Sequence, residues 1–267
     1  MHSITISELG VFLVEPSGVQ AQFITRRLEE LGVIRIKTFS DAKTALAEMR
    51  RQTPDLVISS LHLPDMTGAE LVQAMRDDEQ LREIAFILVS SETNPHYLEP
   101  VRQAGACAIL PKPVETATLR TALLASLDYL QPNTLKLDVS GIDLESLRVL
   151  VVDDSRSARA FIRRVLENLG IVNVTEAENG RQAVEIINEG YFDLVVTDYN
   201  MPEMDGRELT EFIRTQSWQG SIPIMMVSSE KDQERLAAVQ QAGVSGICDK
   251  PFEPAVVKDL IERMLAV

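Results

Sequence analysis

The chain has 267 residues, a formal net charge of −14 at pH 7, 45% hydrophobic residues and 25% charged residues. This length favours two ordinary domains over one large core, and the composition is typical of a globular protein. The acidic balance disfavours direct binding to nucleic acid or to anionic lipid. No apolar run reaches the ~20 residues of a membrane span, and no secretory signal opens the chain. We therefore expect a cytoplasmic protein that does not bind membranes.

The first half alternates short apolar runs with amphipathic stretches, a pattern typical of strands and helices in turn. Strands are predicted near 10–14, 33–38, 55–60, 84–90 and 106–110. Helices are predicted near 18–31, 41–51, 67–77, 95–104 and 115–129. Ser40 is predicted to cap the second of these helices.

A segment without a long periodic run joins the two halves. It covers 131–145 and is predicted to be a linker between a first domain at 1–130 and a second at 146–267. Apolar residues such as Leu137 leave two alternatives open, a segment that docks on a domain and a mobile tether.

The second half repeats the alternation of the first. Strands are predicted near 147–152, 172–177, 193–197, 222–228 and 244–248. Helices are predicted near 156–169, 180–189, 205–216, 231–242 and 254–265. Apolar strands that alternate with helices predict an α/β fold, a parallel sheet with helices on both faces.

Landmarks recur in the two halves at a constant separation of 138 residues. The first members of these pairs are Pro64-Asp65-Met66-Thr67-Gly68, Asp55-Leu56-Val57-Ile58, Val89-Ser90-Ser91-Glu92, Gln103-Ala104-Gly105 and Lys112-Pro113. Five matches at one separation indicate a tandem duplication of a unit of about 125 residues.

Three carboxylates are predicted to meet in the second unit. Asp153 and Asp154 follow its first strand, and Asp198 follows its third. With strand order 2-1-3-4-5, the first and third strands are neighbours, and ligands bind at the carboxyl ends of such strands. Adjacent carboxylates repel, and an oxygen-rich pocket of this kind suits Mg²⁺.

Two further polar residues end the fourth and fifth strands, Ser228 and Lys250. Carboxylates, a metal ion, a hydroxyl and an ammonium together suit phosphoryl transfer, with Asp198 as the nucleophile that forms an acyl phosphate. Taken singly, each residue is an ordinary cap or turn residue, so the prediction depends on their joint occurrence.

Residues 147–267 resemble a response-regulator receiver domain of two-component signalling, of the chemotaxis response-regulator type. The resemblance rests on Val149-Leu150-Val151-Val152-Asp153-Asp154, on the run from Asp193 to Gly206, on Val227-Ser228-Ser229-Glu230 and on Asp249-Lys250-Pro251-Phe252. It implies a flavodoxin-like (βα)5 fold in each unit. It also implies that Asp198 accepts a phosphoryl group from a histidine kinase or a histidine phosphotransfer protein.

The resemblance also assigns a metal site. It implies that Mg²⁺ is bound by Asp154, by Asp198 and by the backbone carbonyl of Asn200, while Asp153 acts mostly through water.

Further roles follow from the same resemblance. Ser228 would hydrogen-bond the phosphoryl group, Lys250 would contact it, and Asn200 and Glu230 would tune its lifetime. One position departs from the family pattern, since Ile247 stands where many receivers carry an aromatic switch residue.

The first unit lacks most of this chemistry. Its counterparts of the three carboxylates are Glu15, Pro16 and Ser60, while Ser90 and Lys112 remain. A serine cannot form an acyl phosphate, and one carboxylate will hardly hold Mg²⁺. We therefore predict a degenerate receiver domain in which Glu15 pairs with Lys112, because a buried lysine must be paired.

The function predicted from the sequence is that of a two-receiver response regulator. The second receiver would take the phosphoryl group and signal by altered protein–protein contacts, through the face made by its fourth helix, fifth strand and fifth helix. The first would be a docking, dimerisation or regulatory module, which allows a homodimer. No enzyme activity is expected beyond self-catalysed phosphotransfer and autodephosphorylation.

Two other functions are alternatives to this one. The chain can be the N-terminal regulatory part of a larger effector, such as a diguanylate cyclase. A Mg²⁺-dependent phosphatase with an aspartyl nucleophile, of the haloacid-dehalogenase type, is disfavoured because Asn200 stands where such enzymes carry a second aspartate.

Overall fold

The structure is a computed structural model that describes residues 4–131, 137, 143–229 and 233–265. Its contacts divide the chain between Gln131 and Pro132 into two compact units. Each unit contains one five-stranded parallel sheet.

The first unit opens with a short 3-10 turn, Ile6–Glu8. Its strands are β1 Gly10–Val14, β2 Arg35–Phe39, β3 Leu56–Ser60, β4 Ala85–Ser90 and β5 Ala108–Pro111. Its helices are α1 Gly18–Glu30, α2 Ala42–Arg51, α3 Gly68–Asp77, α4 Pro95–Gln103 and α5 Thr116–Leu130. The sheet order is β2-β1-β3-β4-β5, and α1 contacts α5 while α2, α3 and α4 contact each other in a row.

The second unit repeats this architecture. Its strands are β6 Arg148–Val152, β7 Asn173–Ala177, β8 Leu194–Asp198, β9 Ile224–Ser228 and β10 Gly246–Asp249. Its helices are α6 Arg156–Asn168, α7 Gly180–Glu189, α8 Gly206–Thr215, α9 Gln233–Ala242 and α10 Pro254–Leu265. The sheet order is β7-β6-β8-β9-β10. The predicted flavodoxin-like order 2-1-3-4-5 is therefore confirmed in both units.

The central strands explain why the sequence folds into covered sheets. Every residue of β3, β4, β8 and β9 is buried. A strand buried on both faces is mostly apolar, which is why these segments read as nearly continuous apolar runs rather than alternating ones, with polar residues only at their carboxyl ends.

Polar contacts that brace the sheets also recur at the same separation. The Arg76 guanidinium donates to the carbonyls of Arg82 and Ile84, at 2.7 and 2.9 Å. The Arg214 guanidinium donates to the carbonyls of Gly220 and Ile222, at 3.0 and 2.8 Å. The duplication therefore covers side-chain contacts as well as the backbone.

One predicted helix cap is wrong. The N-cap of α2 is Asp41, whose side chain accepts a hydrogen bond from the amide of Thr44 at 2.8 Å. Ser40 instead donates its hydroxyl to the Asp41 carboxylate at 3.2 Å. Both residue types cap helices well, and the carboxylate occupies the capping position here.

The predicted linker, 131–145, lies largely outside the described residues. Within it, Leu137 is buried, and its amide donates to the carbonyl of Leu169 at 3.3 Å. This residue therefore docks on the second unit. None of the helices in the described ranges combines the length and the apolarity that a bilayer crossing needs.

Candidate functional site

The carboxyl ends of two neighbouring strands bring the predicted acidic residues together. β6 ends at Val152, directly before Asp153 and Asp154, and β8 ends on Asp198. Since β6 and β8 are parallel partners, with Val152 opposite Thr197, these carboxylates lie at one edge of the sheet.

The three carboxylates form one cluster. A ligand oxygen from each of Asp153, Asp154 and Asp198 lies within 4.8 Å of the others. Asp153 and Asp198 are buried, whereas Asp154 is exposed. Hard oxygen donors at this spacing fit Mg²⁺, which keeps several water ligands of its own.

Lys250 joins the two buried carboxylates. Its Nζ lies 3.1 Å from Oδ2 of Asp153 and 3.0 Å from Oδ1 of Asp198. The backbone amide of Lys250 donates to the carbonyl of Ser228 at 2.9 Å, so β9 fixes the place of the lysine. The other oxygen of Asp198, Oδ2, is buried and has no hydrogen-bond partner.

Burial and neighbouring charges change the pKa values of the ionisable residues in this site. Burial raises the pKa of Asp198 to about 6; nearby Lys250 opposes the shift, and Asp153 reinforces it. Burial also raises the pKa of Asp153, against the pull of Lys250. Burial disfavours the Lys250 ammonium, but attraction to both carboxylates outweighs that cost and raises the pKa of the lysine.

The remaining predicted residues lie around this cluster. Ser228 is the last residue of β9 and is buried. Asn200 comes two residues after Asp198, and its side chain is exposed. Glu230 lies outside the described residues. Ile247, on β10, packs beside the small apolar cluster that contains Met226.

A glycine allows helix α8 to start directly against the site. A Cβ on Gly206 would stand only 2.1 Å from the carbonyl oxygen of Asp198. No side chain fits at that distance, so Gly206 is needed for the close approach. Its counterpart Gly68 would meet the carbonyl oxygen of Ser60 at 2.6 Å.

The equivalent place in the first unit holds a different set of contacts. The Lys112 Nζ donates to Oε2 of Glu15 at 2.6 Å and lies 2.8 Å from Oγ of Ser60. The Ser60 hydroxyl donates to the same Glu15 oxygen. The predicted ion pair between Glu15 and Lys112 is present, and Ser60 bridges its two partners.

The polar side chains of Glu15, Ser60 and Lys112 in this first-unit site are paired with one another. Burial opposes ionisation of Glu15, but hydrogen bonds from Lys112 and Ser60 outweigh it and keep the pKa of this carboxyl below its ordinary value. Pro16 is exposed beside Glu15, and Ser90 is buried at the end of β4. Among the residues described, three carboxylates in metal-binding proximity occur in the second unit alone.

One residue that contacts the site in the second unit was not predicted from the sequence. Arg159, on α6, is buried and donates to the carbonyl of Asp153 at 2.7 Å. Its spacing offers a signal, because Ile162 and Leu166 follow at helical intervals on the buried face of the same helix. A charged residue on such a face needs partners.

The family model of the response regulator receiver domain matches twice, at residues 11–124 and 149–262. The chain belongs to the response regulator receiver domain family. It carries two receivers in tandem, and each match covers one unit of the fold.

Curated relatives agree with this assignment. The chain is 36% identical to chemotaxis protein CheY of Pseudomonas aeruginosa over 118 residues, 44% of this chain and 95% of the relative. It is 35% identical to CheY-3 of Vibrio cholerae over 120 residues, 45% and 92% of the two chains. A solved two-component system response regulator/GGDEF domain protein aligns over 96% of this chain and 98% of its own, at 21% identity and a TM-score of 0.43.

Proposed function

We propose that the second receiver accepts a phosphoryl group on Asp198 and that the first receiver does not. The charge of the second site carries this proposal. Three carboxylates surround one ammonium, which leaves two negative charges and one buried Asp198 oxygen without a partner. A site built in this way needs a divalent cation before it can receive an anionic phosphoryl group.

The donor set supports magnesium as that cation. Asp153, Asp154 and Asp198 would hold it, with the Asn200 carbonyl as the further ligand that the family resemblance implies. When bound, Mg²⁺ neutralises the negative oxygens of the incoming phosphoryl group.

Phosphoryl transfer follows from the placement of Asp198. A carboxylate oxygen of Asp198 attacks the phosphorus of a phosphohistidine. The new O–P bond forms as the P–N bond breaks, and the imidazole nitrogen keeps the electron pair and later takes a proton from solvent. Transfer to Asp198 turns its carboxylate into an acyl phosphate, which water hydrolyses to restore the carboxylate and release inorganic phosphate.

Lys250 and Ser228 are placed to hold the product. Lys250 already touches an oxygen of Asp198, so its ammonium can donate to a phosphoryl oxygen attached there. Ser228 ends the adjacent strand β9, where a hydroxyl can donate to the same group. The contacts from Lys250 and Ser228 to the phosphoryl group exist only when Asp198 is phosphorylated. They can therefore change the conformation of the loops that carry these two residues.

The output would be a change in protein contacts at the face made by α9, β10 and α10. A depression of about 490 Å³ on this face is lined by Ile247, Cys248 and Val256, among others. Because Ile247 has no hydroxyl, its switching would depend on apolar packing with residues such as Met226.

The first receiver would act as a docking, dimerisation or regulatory module. Its Lys112 neutralises Glu15, and Ser60 bridges the two, so the site offers no free carboxylate as a nucleophile for phosphate. In this account the protein performs only self-catalysed phosphotransfer and autodephosphorylation. A histidine kinase or phosphotransfer protein is its donor, and a cytoplasmic location stays a prediction.

Phosphorylation by a small acyl-phosphate donor tests the proposal. Intact mass would be read for the wild type, Asp198→Ala and Ser60→Ala, with Mg²⁺ and with chelator. We expect one phosphoryl group on the wild type and on Ser60→Ala, only with Mg²⁺, and none on Asp198→Ala. A folded wild type that stays unmodified, or a modified Asp198→Ala, would contradict the proposal.

A further inference from the structure

Arg159 holds the backbone of the acidic loop rather than its carboxylates. Its Nη1 donates to the carbonyl of Asp153 at 2.7 Å and to the carbonyl of Asp154 at 3.4 Å. The guanidinium is planar, and its donors leave in fixed directions. These two contacts therefore restrain the peptide groups from which both loop carboxylates project.

Two glutamates offset the charge of this arginine. The Nε of Arg159 lies 3.1 Å from Oε2 of Glu176, and its Nη2 lies 3.3 Å from Oε1 of Glu178. Glu176 also pairs with Arg163, at 2.7 Å. Without the glutamates, a buried cation beside the acidic loop would repel a metal ion.

The first unit lacks all three parts of this arrangement. At the same separation of 138 residues, Ala21 stands in place of Arg159, and Thr38 and Ser40 stand in place of Glu176 and Glu178. The helices concerned occupy matching positions, since α1 is Gly18–Glu30 and α6 is Arg156–Asn168. The arginine and its glutamates thus occur in the unit that has the acidic cluster.

We propose that Arg159 is a positioning residue that presets the Asp153 and Asp154 carboxylates for Mg²⁺, with Glu176 and Glu178 cancelling its charge. The inference rests on the proposed function, because it assumes that the acidic cluster binds this ion. It goes further in assigning the order of the loop to a residue that touches neither the metal nor the phosphoryl group.

The sign of the effect separates positioning from electrostatics. If Arg159 acted only through its charge, its removal would strengthen cation binding. If Arg159 acts by holding the loop, its removal weakens cation binding, because the ligands must then be ordered by the metal itself. Partners that orient metal ligands typically contribute about 10–100-fold to affinity.

Amide NMR titration of the full chain with Mg²⁺, without any phosphodonor, measures this effect. The wild type would be compared with Arg159→Met, Arg159→Lys and the control Arg163→Met. Arg163 shares Glu176 and donates to the carbonyl of Val174, at 3.3 Å, rather than to the acidic loop. The spectra also report whether the second unit is folded.

We expect the Mg²⁺ dissociation constant to rise about tenfold in Arg159→Met and to stay within about twofold in Arg163→Met. The dissociation constant of Arg159→Lys should lie between those of the wild type and Arg159→Met, because an ammonium cannot reach both carbonyls and both glutamates. An unchanged or lower constant in a folded Arg159→Met overturns the inference, as does an equal rise in Arg163→Met.

Two remaining results also decide the matter. If Arg159→Met does not fold, Arg159→Lys carries the test, and a wild-type constant in that variant overturns the inference. A wild type that binds no Mg²⁺ contradicts the proposed function itself, whereas a wild type that binds and is phosphorylated leaves only the role of Arg159 in question.

Discussion

The two receivers place the same lysine in two different electrostatic settings. In both, the lysine follows β5 or β10, and its backbone amide donates to the serine that ends the adjacent strand. Lys112 contacts one carboxylate and one hydroxyl, so the charges of Lys112 and Glu15 cancel. Lys250 meets two buried carboxylates, with a third at the surface.

This difference shows that the same backbone fold can hold a site whose charges are balanced or a site that keeps excess negative charge. Contacts that brace the sheet, such as those of Arg76 and Arg214, are present in both units. The carboxylate cluster and the Arg159 contacts belong to the second. Excess negative charge costs stability in the metal-free second unit, and that same charge attracts a cation.

The largest effect we expect comes from removing each lysine. Lys112→Met leaves Glu15 buried without its cation and should destabilise the first unit by about 3–5 kcal/mol. Lys250→Met should destabilise the second unit to a similar extent, but Mg²⁺ should restore part of that loss, since it can replace the missing positive charge. Urea unfolding followed by hydrogen exchange of each unit measures both effects.

Restoration of the first unit by Mg²⁺ would contradict this contrast between the two sites. It would mean that Glu15 and its neighbours bind the cation after all. A Lys250→Met variant that gains nothing from Mg²⁺ would equally contradict it.

Replacing either of the two close-approach glycines by alanine separates effects on the stability of the fold from effects on phosphorylation. Gly68→Ala and Gly206→Ala should each cost roughly 2–3 kcal/mol of stability, since each new Cβ meets a backbone carbonyl oxygen. Gly206→Ala should also slow phosphorylation, because it displaces Asp198, whereas Gly68→Ala should leave phosphorylation unchanged. Thermal melts and intact mass give the two readouts, and equal effects on phosphorylation would argue against separate roles.

Asp198→Asn tests the cost of crowded carboxylates. The pKa of Asp198 is raised to about 6 in the folded protein, so this carboxyl stabilises the fold at low pH. That contribution is lost as the pH rises from about 4 to about 6. The amide should therefore stabilise the metal-free protein by roughly 2–3 kcal/mol at pH 7, and the gain should vanish near pH 4.

The matched substitution in the first unit should have the opposite sign. Ser60→Ala removes the hydroxyl that bridges Glu15 and Lys112, and we expect a loss of about 1 kcal/mol. Thermal melts of both variants without Mg²⁺, at pH 4 and pH 7, measure the contrast. A lower melting temperature for Asp198→Asn at pH 7 would refute the crowding argument.

The last effect concerns a rate rather than the stability of the fold, namely the lifetime of the acyl phosphate. Replacing Asn200 and Glu230 together by alanine should change the rate of phosphate loss by up to about tenfold, or about 1.4 kcal/mol in activation free energy. The decay of the phosphorylated mass over time measures this. The idea is wrong if the rate does not move.

Sequence patterns predicted the frame well because apolar strands and helical spacing are local properties. The buried β8 reads directly as an apolar run that ends on Asp198. The Glu15–Lys112 pair was predictable from the repeat, since a lysine retained without its aspartates needs a partner. The hydroxyl bridge from Ser60 was not, because it depends on side-chain reach between strands.

Other features needed the three-dimensional structure for different reasons. Ser40 and Asp41 are adjacent and chemically similar caps, so local preference could not separate them. The role of Arg159, on helix α6, depends on Glu176, which reaches it from strand β7. Only packing brings such residues together.

Locating the phosphoryl group shows directly whether Asp198 is the single phosphoacceptor of the chain. The full chain would be phosphorylated with Mg²⁺ and a small acyl-phosphate donor, reduced with borohydride to convert any aspartyl phosphate to homoserine, and mapped by peptide mass. We expect homoserine at position 198 and no modified residue in the first receiver. Modification at any residue of the first receiver, or a folded protein without modification at 198, would contradict it.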